Sequence, residues 1–413
     1  MQVMYKRCAG LDVHKKSVVA HVRLWEGNEL HEETRSFGTM WGDLWQLADW
    51  LRAEEVTHVA MESTGVYWQP IFNVLEGDFE VWVVNAKHIK HVKGRKSDVR
   101  DAEWIAQLMQ YGLLAPSFIP EEPQRELREL VRYRTHLIEE RTREVNRVHK
   151  ALEDANIKLS SVATDIMGVS GRLMLQAIIA GKDDPAALAQ LAKRRLRNKI
   201  DELERALTGR VKDSHRVLLR LHLEHIDELN AKLEQLEEEI EKLLPPFDQD
   251  DLIDRLDTIP GVDRRIAQII IAEIGVDMSR FPSADHLTSW AGLAPGQNES
   301  AGKNRSSRTL KANRYLRPAL VQAAHAAGRT RNTYLGAKYG SLSGRRGKKR
   351  AAVAIARKIL VIVHHIIREG TVYKDLGADY LDQRRRETVT HYAVRRLEKL
   401  GYKVTLEPLQ PAA

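Results

Sequence analysis

The chain has 413 residues, 30% of them charged and 43% hydrophobic, with 65 Lys and Arg against 57 Asp and Glu for a formal net charge of +8. That length accommodates two or three domains with real cores, and the positive balance points to a polyanionic partner. Cys8, the single cysteine, excludes an intrachain disulfide and a cysteine-built zinc site, which suits a reducing compartment.

The N-terminal residues lack the form of a signal peptide, and apolar runs such as 359–363 fall far short of the roughly 20 residues that a membrane span needs. The expectation is a soluble, cytoplasmic protein without a membrane partner.

Residues 1–120 read as an α/β domain. The pattern predicts strands over 8–14, 17–24 and 30–37, a helix with Leu44, Leu47, Ala48 and Leu51 on one face, and a strand over 56–62. A helix from Thr64, a strand over 81–84 and a helix capped by Ser97 and running through Asp98 to Met109 complete it. Three strands, helix, strand, helix, strand, helix is the order of an RNase H-like (RuvC-like) fold.

That order assigns four acids. Asp12 lies on the first strand, where a carboxylate among apolar neighbours is costly unless a cation or donor meets it. Glu62 ends the fourth strand, which lies beside the first in this topology. Asp98 and Asp101, at i and i+3, share a helix face. Carboxylates gathered in one place repel one another unless a divalent ion compensates. An all-oxygen ligand set suits Mg²⁺ or Mn²⁺, and two such ions about 4 Å apart polarise a scissile phosphate. The neighbouring loop holds His88, Lys90, His91, Lys93, Arg95 and Lys96, of which Lys93, Arg95 and Lys96 are candidate phosphate contacts.

Pro116, Pro120 and Pro123 predict a linker, and residues 121–250 a helical connector: a long helix over 124–155, a second over 186–207 and a third whose Ile226, Leu229, Leu233, Leu236, Ile240 and Leu243 make a coiled-coil seam ended by Pro245-Pro246. Such a seam needs a partner helix, from the same chain or from a second protomer. The second protomer is the preferred reading, giving a homodimer or homotetramer.

Residues 251–370 read as a mainly α domain. Residues 256–275 have the form of a helix-hairpin-helix whose turn, at Gly261, is a candidate phosphate contact. Helices around 284–290 and 315–327 flank a loop over 292–303. From 301 to 368 there are seventeen Lys and Arg and no Asp or Glu, including Arg345, Arg346, Lys348, Lys349 and Arg350. So one-sided a block reads as a nucleic-acid surface that contacts phosphates, since few aromatics interleave. Residues 371–413 form a small appendage.

Gly10-Leu11-Asp12-Val13-His14-Lys15, Met61-Glu62-Ser63-Thr64-Gly65, Lys96-Ser97-Asp98-Val99-Arg100-Asp101-Ala102, Ile259-Pro260-Gly261-Val262 and Gly292-Leu293-Ala294-Pro295 with Ser300-Ala301-Gly302-Lys303 recur in this order. Together they resemble the transposases of the IS110 insertion-sequence family, the DEDD-type recombinases, over nearly the whole chain to about residue 370. The resemblance implies a RuvC-like domain, a coiled-coil connector and a transposase domain with a nucleophilic serine. That serine corresponds to Ser300, with Ala301 inserted before Gly302; Ser306 and Ser307 keep the assignment open. It also implies donor and target DNA as partners, paired by a structured bridge (guide) RNA. The expected activity is DNA cutting and rejoining through a covalent serine intermediate, with Lys303 and Arg305 neutralising the phosphate. The alternative is a metal-dependent RuvC-like nuclease or junction resolvase without that intermediate.

Overall fold

Strict alternation builds the first sheet. In β1 (Arg7–Val13), Ala9, Leu11 and Val13 point to one apolar layer while Cys8, Gly10 and Asp12 take the other face. β2 (Ser17–Glu26) and β3 (Glu29–Gly38) add antiparallel strands on one side, β4 (His58–Glu62) and β5 (Glu80–Val84) parallel strands on the other, giving the order β3-β2-β1-β4-β5. The computed structural model describes residues 2–27, 29–85, 101–296, 298–300, 303–306, 309 and 312–407, with backbone alone for 298–300 and 303–306. The chain divides into two compact units, Met1–Pro120 and Glu121–Ala413.

Helices cover both faces of the sheet. α1 (Trp41–Ala53) and α2 (Trp68–Leu75) bury Leu44, Leu47, Leu51, Ile71 and Leu75 against the Ala9/Leu11/Val13 face. α3 (Asp101–Gln110) covers the other face with Trp104, Ile105, Leu108 and Met109. The expected start of this helix, at Ser97 and Asp98, lies outside the described residues. The strand expected over 56–62 begins two residues later, and the helix expected from Thr64 begins at Trp68.

The second unit opens with α4 (Glu122–Asp154), a helix of 33 residues, about 50 Å long. Pro123, expected in the linker, sits in its first turn, where a missing N–H costs nothing. After α5 (Leu159–Val162), α6 (Val169–Ile179), α7 (Pro185–Ala189), a 3-10 turn (Arg194–Lys199) and α8 (Ile200–Leu207), the chain returns in α9 (Asp213–Leu243). α4 and α9 run antiparallel: Arg134 meets Glu237 (2.8 Å), Arg141 meets Asn230 (2.6 Å), Glu144 meets His222 (2.8 Å) and Asp154 meets His215 (2.7 Å). The seam residues Ile226, Leu229, Leu236 and Ile240 are buried within one chain. This corrects the preference for a second protomer as the partner of that seam.

α5 to α8 cap the far end of this arm over a core that includes Leu159, Met174, Leu175, Ile178, Leu188 and Leu203. The single helix expected over 186–207 is broken: Asp184 caps α7 at Ala186 and Ala187, and Arg194 takes a left-handed φ of 51° before α8.

The remainder packs around α15 (Lys348–Glu369), which follows α10 (Leu252–Asp257), α11 (Arg264–Ile274), α12 (Ala284–Trp290), α13 (Leu316–Ala327) and α14 (Tyr334–Arg346). α15 buries Ile355, Ile359, Leu360, Val363 and Ile366, so the basic block also supplies a core. Beyond it, Asp375 accepts from the Tyr334 backbone N–H (3.0 Å) and so caps α14; α16 (Tyr380–Arg384) and α17 (Arg386–Lys399) bury nothing. Among the described residues, no helix is long and apolar enough to cross a membrane.

Candidate active site

The first candidate site lies at the C-terminal ends of β1 and β4. Leu11 pairs with Met61 in parallel register, so Asp12 and Glu62 follow side by side and point to the face covered by α3. Both are half-buried. The Asp12 Oδ2 lies 3.1 Å from His14 Nε2. α3 crosses this face with its N-terminus toward the end of β1: the Cys8 thiol donates to the Ala106 carbonyl (3.6 Å), and Gly10, further along the strand, abuts Ala102.

Glycine at position 10 is a steric requirement. A Cβ there would lie 2.3 Å from the Ala102 carbonyl oxygen and 2.3 Å from the Ala106 nitrogen. The other end of α3 is tied by Arg23, whose Nε donates to Gln110 Oε1 (2.9 Å), and by Met4, whose N–H donates to the Gln110 carbonyl (2.9 Å). Asp101, exposed, is the first residue of this clamped helix. Three of the four acids thus come from elements that meet at one end of the sheet; Asp98, with Lys93, Arg95 and Lys96, lies outside the described residues. Among the described residues, no group of three His, Cys, Asp or Glu side chains stands close enough to hold a metal ion. The chemistry of Asp12, Glu62 and Asp101, carboxylate oxygens alone, fits a hard divalent cation.

The second candidate site replaces part of the expected loop with a hairpin, β6 (Asn298–Ser300) and β7 (Lys303–Ser306). Ser300 pairs with Lys303 at the turn end, Glu299 with Asn304, and Asn298 with Ser306 at the root. Arg305 lies on β7, and Ser307 lies outside the described residues.

Sequence reading missed the polar hub downstream of this hairpin. Glu273, its side chain 1% exposed, receives a two-pronged contact from Arg132 (2.7 and 2.8 Å) and a hydrogen bond from Asn313 Nδ2 (2.6 Å). Asn313 Oδ1 accepts from the Tyr315 and Leu316 backbone N–H groups (2.9 Å each), capping α13. Arg128 donates to the Ala272 and Glu273 carbonyls, and burial pushes its guanidinium down to about 10. Arg132 also stacks over the Tyr315 ring at 4.6 Å, and the Tyr315 hydroxyl bonds to His136 at 2.9 Å. The available signal was a lone acid, Glu273, in the apolar second half of α11.

Arg345, Arg346, Lys348, Lys349 and Arg350 are all exposed where α14 turns into α15 at Gly347. Gly261 has a packing role. Its φ is +87°, and a Cβ there would lie 2.2 Å from the Ala323 carbonyl oxygen of α13. At the start of α11 the Asp263 carboxylate already accepts from Ile266 N–H (2.8 Å), so an anion occupies the position expected for a phosphate.

Two family models match the chain. A model described as "Transposase", of the IS110 DEDD type, covers residues 9–157, and one described as "Transposase IS116/IS110/IS902 family" covers 253–340; together they take in more than half of the chain. The first contains Asp12, Glu62, Asp98 and Asp101, the second Ser300 and the hairpin. A "Probable family 20 transposase" of Pseudomonas aeruginosa is 26% identical over 80% of this chain and 89% of its own length. The transposase for insertion sequence element IS1328 of Yersinia enterocolitica is 24% identical over 88% and 97%. A pilin gene-inverting protein of Moraxella bovis is 34% identical over 28% of this chain and 36% of that protein. Two family models in series, the first reaching through α4 and the second starting after α9, and relatives aligned along most of their length give one conclusion: the chain belongs to the IS116/IS110/IS902 family of transposases.

Proposed function

We propose that this transposase cuts and rejoins donor and target DNA as a site-specific recombinase, through a transient phosphodiester between the Ser300 hydroxyl and the cleaved strand. The observation that carries this reading is the hairpin register: Ser300 stands at the turn end opposite Lys303, whereas Ser306 stands at the root. Lys303 faces Ser300 in this register and would supply the positive charge that neutralises a phosphate offered to the hydroxyl. Arg305 adds a second cation on the same strand.

In the cleavage step the serine oxygen bonds to phosphorus as the bond to the leaving deoxyribose oxygen breaks. The serine loses a proton and the leaving hydroxyl gains one. The phosphodiester is conserved, so attack by the hydroxyl of a second strand rejoins DNA without a high-energy cofactor. A serine hydroxyl is a weak nucleophile near neutral pH and needs this activation. Asp12, Glu62, Asp98 and Asp101 would hold a divalent ion, Mg²⁺ or Mn²⁺, which when bound polarises phosphate oxygens. The remaining elements of the reading are a guide RNA that pairs with both DNA partners and a homodimer or homotetramer as the working assembly.

The test is incubation with the element's own ends and co-transcribed RNA. A protein–DNA adduct stable in SDS is expected, lost in Ser300→Ala and kept in Ser306→Ala. Metal-dependent cleavage without an adduct, unaffected by Ser300→Ala, would identify a hydrolytic nuclease instead.

A further inference from the structure

We propose that the tip of the α4–α9 arm is a second nucleic-acid site, in which Lys193, Arg194, Arg195 and Arg197 grip a phosphate backbone. The proposal rests on the reading that this protein works on nucleic acid, but not on the serine or the acids.

Residues 193–199, Lys-Arg-Arg-Leu-Arg-Asn-Lys, hold five cations, all exposed. Lys199 meets Glu202 at 3.7 Å; among the described residues the other four have no ion-pair partner. Several packed arginines elsewhere along the arm are neutralised: Arg134 by Glu237, Arg172 by Asp227 and Arg216 by Asp183. Single exposed arginines such as Arg143 and Arg220 stand outside the tip, but the tip gathers four cations within five residues.

Runs of like charge usually remain unstructured, because repulsion opposes order. Here the run is fixed from beneath. Ala192 is buried, Leu196 and Ile200 pack against the cap core, and the Lys193 backbone N–H donates to Ser170 Oγ (2.9 Å). The cations are therefore held outward on an ordered surface, a repulsion that a bound polyanion would relieve.

The shape agrees. Lys193, Arg194 and Arg195 line a groove of about 680 Å³ together with Thr164, Ser170 and Asp165. The one acid among these, Asp165, already accepts from the Met167 backbone N–H (2.9 Å). Residues 155–212 contain no Phe, Trp or Tyr, so the chemistry is phosphate contact without base stacking. From Arg134 to Asp154 the arm rises about 30 Å, close to one turn of a duplex.

The experiment uses the full chain with Lys193, Arg194, Arg195 and Arg197 each changed to Gln, against duplexes of about 30 base pairs, DNA in one arm and RNA in the other. Affinity is measured across a salt series. Each lost contact lowers the salt slope by roughly 0.7–0.9, so a drop of about 3 is expected for at least one probe, and the probe affected tells RNA from DNA. A variant with the three arginines changed to Lys should keep the slope, which separates charge from folding damage. Unchanged affinity and slope on both probes, while neutralising residues 345–350 still weakens binding, would overturn the tip site and leave the proposed function standing. Failure of the unmodified protein to bind either probe would overturn both.

Discussion

Gly10 and Ala106 meet backbone to backbone: a Cβ on Gly10 would lie 2.3 Å from the Ala106 nitrogen. The helix that begins with Asp101 can approach the strand carrying Asp12 this closely only because position 10 has no side chain. Gly10→Ala should cost about 1–3 kcal/mol by overpacking. It should also displace Asp101, and a shift of 1 Å at such a centre can cost about 100-fold in cleavage. Cys8 gives an independent readout. Burial pushes its thiol up to about 12, so in the native protein it should resist alkylation at pH 8. In Gly10→Ala the labelling rate should rise. Unchanged labelling with full cleavage would show that α3 absorbs the methyl group.

Asp12→Ala, Glu62→Ala, Asp98→Ala and Asp101→Ala should each abolish strand cleavage while nucleic-acid binding persists, because in the proposed function each would remove a ligand from a metal centre that does not hold the DNA backbone by itself. Chelation of divalent ions should act likewise on the unmodified protein, with recovery on adding Mg²⁺ or Mn²⁺. Full recombination by any one variant would remove that residue from the centre.

Glu273→Gln should destabilise by about 3–5 kcal/mol, since it leaves the largely buried Arg128 guanidinium, with the half-buried Arg132, facing a neutral amide. Asn313→Ala removes a cap and one hydrogen bond, for about 1–2 kcal/mol. Urea midpoints of the two variants measure the difference. Equal, small shifts would mean that solvent reaches Glu273.

Changing Arg345, Arg346, Lys348, Lys349 and Arg350 to Gln should lower the salt slope of nucleic-acid binding by about 4. All five are exposed, so the melting temperature should stay within a degree or two. A slope that does not move would make this cluster a solvated turn.

The sheet was legible because alternation in residues 7–26 and the Gly10-Leu11-Asp12 and Met61-Glu62 motifs mark both strands and put an acid near the end of each in a few residues. The hairpin carrying Ser300 was read as a loop: three- and four-residue strands of Asn, Glu, Ser, Lys and Arg offer no apolar period to detect. α6 was missed for a related reason. Val169–Ile179 is apolar on most sides because the cap surrounds it. The seam in α9 was visible, but its partner was not, since a heptad pattern states that a helix must be covered and leaves open by which chain. Glu273 and Arg134 escaped because a buried charge is betrayed only by its partners, and their oppositely charged partners Arg132 and Glu237 lie more than 100 residues away.

Because α4 and α9 are antiparallel and closed on each other, the reach of this arm is an editable dimension. Removing one heptad from each helix at facing positions would draw the cap in by about 10 Å while keeping the same side chains in register. Removing three or four residues would instead turn the cap about the arm axis. A family of such deletions would convert the spacing between the two ends of the arm into an experimental variable, set independently of every side chain proposed to meet a phosphate.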